Sequence, residues 1–182
     1  MNIRLKMVLI LTLFACISGG VLSLVYIISS PLIEANMLEE QNRAIFLVVP
    51  EAKSYEEKLT EGINYFECTD TEGRVVGIAL PAEGIGYQGV IKLMVGLTPD
   101  LRQVMGLVVL EQIETPGLGG RISEEEFQNQ FKGINTEPAI EWVKNQAPEK
   151  DTDIQAVTGA TISSRSVVLI INKRIQDLRT VM

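Results

Sequence analysis

The apolar positions of the chain follow three rhythms in turn: a continuous run, a helical repeat and a set of short strand-like bursts. From residue 7 to residue 28 nothing is charged, and nearly every side chain is apolar or small. At a rise of ~1.5 Å per residue the run spans roughly 33 Å, against ~30 Å for the hydrocarbon core of a bilayer. One transmembrane helix is predicted there. Pro31 follows it. Leu32, Ile33, Met37, Leu38, Ile45 and Phe46 then alternate with Glu34, Glu39, Glu40 and Arg43 at roughly helical spacing. This segment reads as a juxtamembrane helix that ends before Pro50. Residues 51–62 are polar and read as a linker to the part beyond.

Strand signals come next. Residues 65–68 and 75–80 flank Asp70-Thr71-Glu72-Gly73, which reads as a hairpin turn. Residues 89–97 and 104–110 flank Thr98-Pro99-Asp100, a second hairpin. Their β-branched residues and short connections favour an antiparallel sheet. Ser123-Glu124-Glu125-Glu126 has the form of a capping box and predicts a short helix through Phe131. Trp142 is assigned to a further short packed segment. From Ser163 to about Arg179, the residues Val167, Val168, Ile170, Ile171, Ile175 and Leu178 predict a helix lying on the sheet. Lys173, Arg174 and Arg179 fall toward its C-terminal end, where cations are favoured. The fold class is α+β: an N-terminal single transmembrane helix, then an antiparallel sheet packed by helices. The boundaries fall at 1–30 for the anchor, 31–62 for the juxtamembrane helix and linker, and 63–182 for the outer domain.

Charge orients the anchor. Arg4 and Lys6 precede the apolar run, and the next charges after it are acidic. The positive-inside rule then puts the N-terminus in the cytoplasm and the remaining chain outside it, on the inner membrane. A cleaved signal peptide is the rival reading. Its apolar core is ~7–15 residues, shorter than this run, and no clear small-x-small exit follows. With Arg4 and Lys6 set aside, 14 basic residues stand against 23 acidic ones, a net charge of −9. So acidic a domain argues against nucleic acid as a partner. The chain has no histidine. That removes His-ligated haem, ordinary zinc centres and His-based triads. Cys16 lies in the span and Cys68 in the outer domain, so they are not placed to pair, and two cysteines are too few for an iron–sulfur cluster. No metal site is assigned. If the protein does redox chemistry, an organic cofactor is the remaining route. No G-x-G-x-x-G follows a strand, which disfavours a Rossmann dinucleotide site.

Three stretches stand apart from this scaffold. Gly86-Tyr87-Gln88-Gly89 precedes a strand and by itself reads as a tight entry turn with a packed tyrosine. Glu114-Thr115-Pro116-Gly117-Leu118-Gly119-Gly120 follows a strand and is too glycine-rich for either regular element. Val157-Thr158-Gly159-Ala160-Thr161-Ile162-Ser163-Ser164 lies at the mouth of the last helix. Gly159 and Ala160 are nearly side-chain-free, so a bulky group can approach the backbone. Thr161 and Ser163 place hydroxyls where a helix begins, and such residues satisfy its free N–H groups. Those N–H groups, with the helix dipole, form a ready anion site. Taken alone, the stretch reads more simply as a turn and a cap.

Taken together, the three stretches resemble the FMN-binding domain shared by the G subunit of Rnf electron-transport complexes and the C subunit of the sodium-pumping NADH:quinone oxidoreductase. The motifs occur in the family's order behind a single anchor, and the likeness runs over nearly the whole chain. The short length favours the Rnf protein. The resemblance implies FMN attached through its phosphate to the hydroxyl of Thr161, by a flavin transferase that takes FAD. Thr158, Gly159, Ala160, Ile162 and Ser163 would surround the attachment. The loop 116–119 would approach the isoalloxazine ring, with Leu118 as an apolar contact and Thr115, Gly117 and Gly119 shaping the loop. Glu114 would orient or brace it, and Tyr87 enters from the first motif. Two positions depart from the pattern. The family usually has an aspartate six residues before the threonine, where this chain has Gln155, with Asp153 two residues earlier. Relatives often carry a histidine where this chain has Gln112.

A threonine hydroxyl is a weak nucleophile, and no histidine base is available, so a separate modifying enzyme is needed. The implied function is a membrane-anchored electron-transfer subunit of an ion-translocating ferredoxin:NAD oxidoreductase. No residue needs to act as a general acid or base, so none is assigned as catalytic. The implied partners are the other membrane and redox subunits. Ser18, Gly19, Gly20 and Ser23 are small enough to let neighbouring helices approach. Two other readings remain: a stand-alone flavin-bearing surface carrier, and an anchored binding or assembly module with no cofactor.

Overall fold

The structure, a computed structural model, describes residues 2–182. The chain divides into two units, one ending at Glu40 and the other Gln41–Met182. The first unit belongs to a single helix, α1, Ile3–Val48. Among the described residues α1 is the one helix long and apolar enough to cross a membrane. Phe14, Leu22 and Tyr26 are among its many exposed apolar side chains, the surface expected of a helix that lipid covers. The sequence separates an anchor from a juxtamembrane helix at Pro31. The structure instead carries one helix through Pro31 to Val48. Proline removes one helical hydrogen bond, but Leu32, Ala35, Met37, Leu38, Glu39 and Glu40 on its C-terminal side are all strong helix formers.

The second unit is organised on a five-stranded antiparallel meander. The strands are β1 (Ser54–Thr60), β2 (Ile63–Thr69), β3 (Val75–Ile85), β4 (Val90–Leu97) and β5 (Val104–Glu111), adjacent in chain order. The reading of residues 51–62 as a linker is corrected here. Ser54–Thr60 is the edge strand, paired along its length with β2. None of its seven residues is buried, so it lacks the alternating apolar positions by which a half-buried strand announces itself. β3 also runs longer than its sequence signal, across Pro81 to Ile85. Its ladder with β2 ends at Phe66↔Ala79, so Pro81 lies where β3 pairs with β4 alone. A sheet tolerates proline in that position.

The two faces of the sheet are covered differently. On one face lies α3, Thr161–Val181. Its Val167, Val168, Ile171 and Ile175 pack with Ile78, Leu80, Leu93, Val95 and Leu97 in the larger core. On the other face lies the last turn of α1. Ala44, Ile45, Val48 and Val49 pack there with Phe66, Cys68, Ala79 and Met94. Fully burying one such Val, Leu, Ile or Phe is worth ~1.5–3 kcal/mol, so both covers contribute. The second cover depends on two glycines. A Cβ on Gly96 would run into the carbonyl of Val48, and one on Gly106 would lie 3.0 Å from the Val48 Cα. The helix end therefore rests on sheet backbone.

Beyond β5 come a 3-10 turn at Gly119–Ser123, the short helix α2 (Glu125–Gln128) and a second 3-10 turn at Asn129–Phe131. The expected capping box does not form. Ser123 is taken up by the preceding 3-10 turn, and the N-cap is Glu124, with no side-chain cap bond. Gln128 Nε2 donates to the Ser123 carbonyl instead, at 2.6 Å. Two short parallel strands follow, β6 (Glu141–Val143) and β7 (Asp153–Gln155). Trp142 lies on β6, and the Arg165 guanidinium of α3 sits over its ring, 5.5 Å from the centroid.

Candidate functional site

The three stretches singled out in the sequence meet at one buried carboxylate. Glu114 follows β5 and is 4% exposed. Its Oε1 accepts the backbone N–H groups of Tyr87 at 2.8 Å and Gln88 at 3.0 Å. Its Oε2 accepts the hydroxyl of Ser163 at 2.6 Å. All three bonds use the carboxyl as acceptor. They also supply what a buried polar group needs to be tolerated. The donors come from the first and third stretches, so Glu114 ties those two to its own loop.

Each partner is placed by local structure. Gly86-Tyr87-Gln88-Gly89 is the turn joining β3 to β4, with Gly86 N donating to the Gly89 carbonyl at 2.7 Å. The turn aims two consecutive N–H groups at Glu114. It leaves the Tyr87 side chain 64% exposed, so the tyrosine is not packed. In the next loop the Thr115 carbonyl accepts from Leu118 N and Gly120 N, at 3.1 and 3.0 Å. Gln112 braces it from below, accepting the Glu114 N–H on Oε1 at 2.6 Å. Leu118 is 47% exposed and stands against Gly159. A Cβ on Gly159 would lie 3.1 Å from Leu118 Cδ2, and its φ of +83° is in the left-handed region that favours glycine. A Cβ on Gly119 would sit 2.6 Å from both Glu114 Oε2 and Ser163 Oγ, wedged into the bond between them.

The mouth of α3 differs from the sequence expectation in one respect. The helix begins at Thr161, and its N-cap is Ala160, with no side-chain cap bond. Thr161 and Ser163 therefore do not cap it. A capping side chain must stand just before the first turn, and here the turn through Gly159 puts alanine there. The hydroxyls do other work. Ser163 turns inward to Glu114. Ser164 Oγ accepts Val157 N at 3.0 Å and donates to the Ala160 carbonyl at 3.1 Å. Thr161 is half-buried, and its hydroxyl has no hydrogen-bond partner among the described residues. Ile162, at 56%, and Thr158 are exposed. The first-turn N–H groups face the mouth with no capping side chain, at the positive end of the helix dipole.

The structure thus gathers Tyr87, Glu114, Thr115, Leu118, Gly119, Gly159, Ala160 and Ser163 around one junction. Thr161 and Ile162 lie on its helical lip, and Gly117 and Thr158 are exposed beside it. Sequence reasoning missed Ser164 as a structural tie. Its signal was present in the Ser163-Ser164 pair, whose second hydroxyl had no assigned task. Gln155 is exposed on β7 and exchanges hydrogen bonds with Gln130: its N–H donates to Gln130 Oε1 at 2.7 Å, and Gln130 Nε2 donates to its carbonyl at 3.3 Å. It lines an open cleft with Arg121, Glu124, Gln130 and Thr158. Asp153 is buried and turned toward the Lys150 N–H, 3.3 Å from its Oδ2. No group of three or more potential metal-binding side chains gathers among the described residues.

The arrangement suits an anionic group bearing a flat apolar body. The N–H groups at the mouth carry no capping side chain, and Tyr87, Leu118 and Ile162 offer exposed apolar surface. Known proteins point the same way. Residues 86–176, which hold all three stretches, match the family described as the FMN-binding domain. The chain is 32% identical over 170 residues to the G subunit of the proton-translocating ferredoxin:NAD(+) oxidoreductase complex of Clostridium ljungdahlii, covering 93% of this chain and 89% of that one. It is 28% identical over 171 residues to the G subunit of the ion-translocating oxidoreductase complex of Methanosarcina acetivorans, covering 90% and 88%. The crystal structure of Shewanella oneidensis NqrC shares the fold, with a TM-score of 0.58 at 22% identity over 73% of this chain and 74% of that one. The chain belongs to the FMN-binding domain family, among the G subunits of ion-translocating oxidoreductase complexes.

Proposed function

We propose that the protein is a membrane-anchored electron-transfer subunit of an ion-translocating ferredoxin:NAD oxidoreductase complex, carrying FMN in phosphoester linkage to Thr161. The observation that carries the reading is an uncapped helix mouth with an unengaged threonine hydroxyl, in a chain of this family. FMN supplies the electron-carrying chemistry; the protein supplies position and electrostatics. Thr161 Oγ1 gives up no hydrogen bond when it is esterified. The first-turn N–H groups of α3 would hold the one negative charge that the diester would keep. Leu118, Tyr87 and Ile162 give the ring system apolar surface, and Gly159 keeps that approach open. Glu114 braces the junction from beneath. At 4% exposure, with both oxygens engaged, it is a strut and not a group that touches the cofactor.

Attachment needs a second protein. The Thr161 oxygen attacks the flavin-side phosphorus of FAD, the bond between the two phosphates breaks, and AMP leaves. The hydroxyl proton passes to a base, and no electron moves. Glu114, the carboxylate bound to this junction, is occupied by three donors, so the base comes from a flavin transferase. Arg4 and Lys6 put the N-terminus in the cytoplasm and the flavin domain on the far side of the membrane. The other subunits of the complex are the electron donor and acceptor.

The test uses the full-length protein made with an active flavin transferase. Peptide mass spectrometry should find added FMN mass on the Thr161 peptide, and in-gel flavin fluorescence should survive denaturation. Both should vanish in Thr161→Ala. A fluorescent protein with an unmodified Thr161 peptide moves the attachment elsewhere. A colourless protein leaves an anchored module without a cofactor.

A further inference from the structure

A hydroxyl in the first turn of a helix can be esterified only if the helix is rotated to face it outward. Successive residues turn by about 100°, so Thr161 and Ser163 point to nearly opposite sides of α3. Ser163 is 2% exposed and fixed inward by its 2.6 Å bond to Glu114 Oε2. Ser164 is fully buried and held by Val157 N and the Ala160 carbonyl. Two pins on adjacent residues set the rotation of the turn, and Thr161 and Ile162 are left on its outer side. The geometry points to Ser163, acting through Glu114 and seconded by Ser164, as the positioning residue that presents the Thr161 hydroxyl for flavin attachment. This rests on the reading of Thr161 as the attachment residue.

The placement of the bond separates this role from general stability. The body of α3 is held by its buried apolar face and, toward its tail, by Arg174 and Arg179. The Ser163–Glu114 bond stands apart from those contacts, two residues from the reactive oxygen. It also joins the helix mouth to the loop that carries Leu118, through the same carboxylate that receives the Tyr87 and Gln88 N–H groups. Removing the Ser163 hydroxyl leaves Glu114 Oε2 buried without its donor. The turn then rotates or frays to let water reach it, and Thr161 loses its fixed direction. A displacement of about 1 Å at a reacting group can cost on the order of a hundredfold in rate.

The experiment follows the time course of FMN attachment by intact-protein mass, using the full-length chain, FAD and a purified flavin transferase. Four proteins are compared: wild type, Ser163→Ala, Ser164→Ala and Thr136→Ala. Thr136 is a buried hydroxyl bonded to the Leu101 carbonyl near the tail of α3, so its variant controls for loss of a buried hydrogen bond far from the mouth. Ser163→Ala should attach flavin about tenfold to a hundredfold more slowly, with the loss in kcat and not in the KM for FAD. Ser164→Ala should be slowed several-fold, and it keeps the inference testable if Ser163→Ala does not fold. Thr136→Ala should attach at the wild-type rate despite a lowered melting temperature. Ser163→Ala or Ser164→Ala at the wild-type rate overturns the inference, as does a Thr136→Ala variant slowed as much as they are. A wild-type protein that takes no flavin on Thr161 is a different failure, that of the attachment site itself.

Discussion

The two ends of α3 are built on opposite plans. At the tail, Arg179 Nη2 donates to the Leu101 carbonyl at 2.9 Å and to Thr136 Oγ1 at 2.8 Å, and pairs with Glu137 at 3.3 Å. Somewhat earlier in the helix, Arg174 reaches the carbonyls of Pro81 and Asn64, at 2.9 and 3.3 Å. It bonds across the place where the β2–β3 ladder has ended. Leu178 is fully buried between them. At the mouth no side chain caps the helix, the Thr161 hydroxyl is unengaged, and the side-chain ties are those of Ser163 and Ser164. The tail satisfies carbonyls of neighbouring segments and locks the helix to the sheet. The mouth leaves its N–H groups open. A helix entrance with every N–H satisfied would have nothing to offer a phosphate, so this end is fixed by the inward side chains of Ser163 and Ser164 and not by a cap.

This contrast breaks or sharpens under substitution. Leu178→Ala should have the largest effect, destabilising the domain by ~2–5 kcal/mol in urea unfolding, because it opens a cavity at the locked end. A smaller loss would place the grip of the helix elsewhere. Arg179→Ala should cost about 1.5–3 kcal/mol, since it removes charge-assisted bonds to Leu101 and Thr136. Gly159→Ala should cost ~1 kcal/mol or more through its positive φ, and its Cβ at 3.1 Å from Leu118 should also lower flavin attachment. Thr161→Ala should change stability by less than ~0.5 kcal/mol while abolishing covalent flavin. If it destabilises as much as Arg179→Ala, the mouth is a structural element and the contrast fails.

The smallest effect belongs to a turn remote from both ends. The Arg74 backbone N–H, followed by the Arg74 guanidinium, holds the Asp70 carboxyl below the ordinary carboxylate range. The folded value lies below the unfolded one. The contribution is therefore fully present above the ordinary carboxylate range and disappears as pH falls through the folded value. The gap in unfolding midpoint between wild type and Asp70→Asn should narrow as the solution is acidified, with flavin attachment unaffected at neutral pH.

How much was legible depended on how far each signal reached along the chain. The two hairpins show in residues 65–80 and 89–110 because a strand, a tight turn and its returning strand are all local. The buried face of α3 shows in Val167, Val168, Ile171, Ile175 and Leu178 because a helical repeat is also local. β1 did not show, because an edge strand with no buried residue has no period to read. The capping box at Ser123 misled because a preceding 3-10 turn took its serine. The helix mouth misled because Gly159 moved the cap position to Ala160.

By itself the sequence determined the apolar run, the hairpin pairs, the last helix and the family to which the three stretches belong. Each is written in neighbouring residues. Tertiary structure alone decided that Glu114 would receive Tyr87, Gln88 and Ser163, and that the end of α1 would lie on Gly96 and Gly106. It also decided that the Ser163 hydroxyl turns to Glu114 while that of Thr161 has no hydrogen-bond partner among the described residues. These are contacts between residues tens of positions apart, and a carboxylate carries no mark in the chain of the donors it will meet once buried.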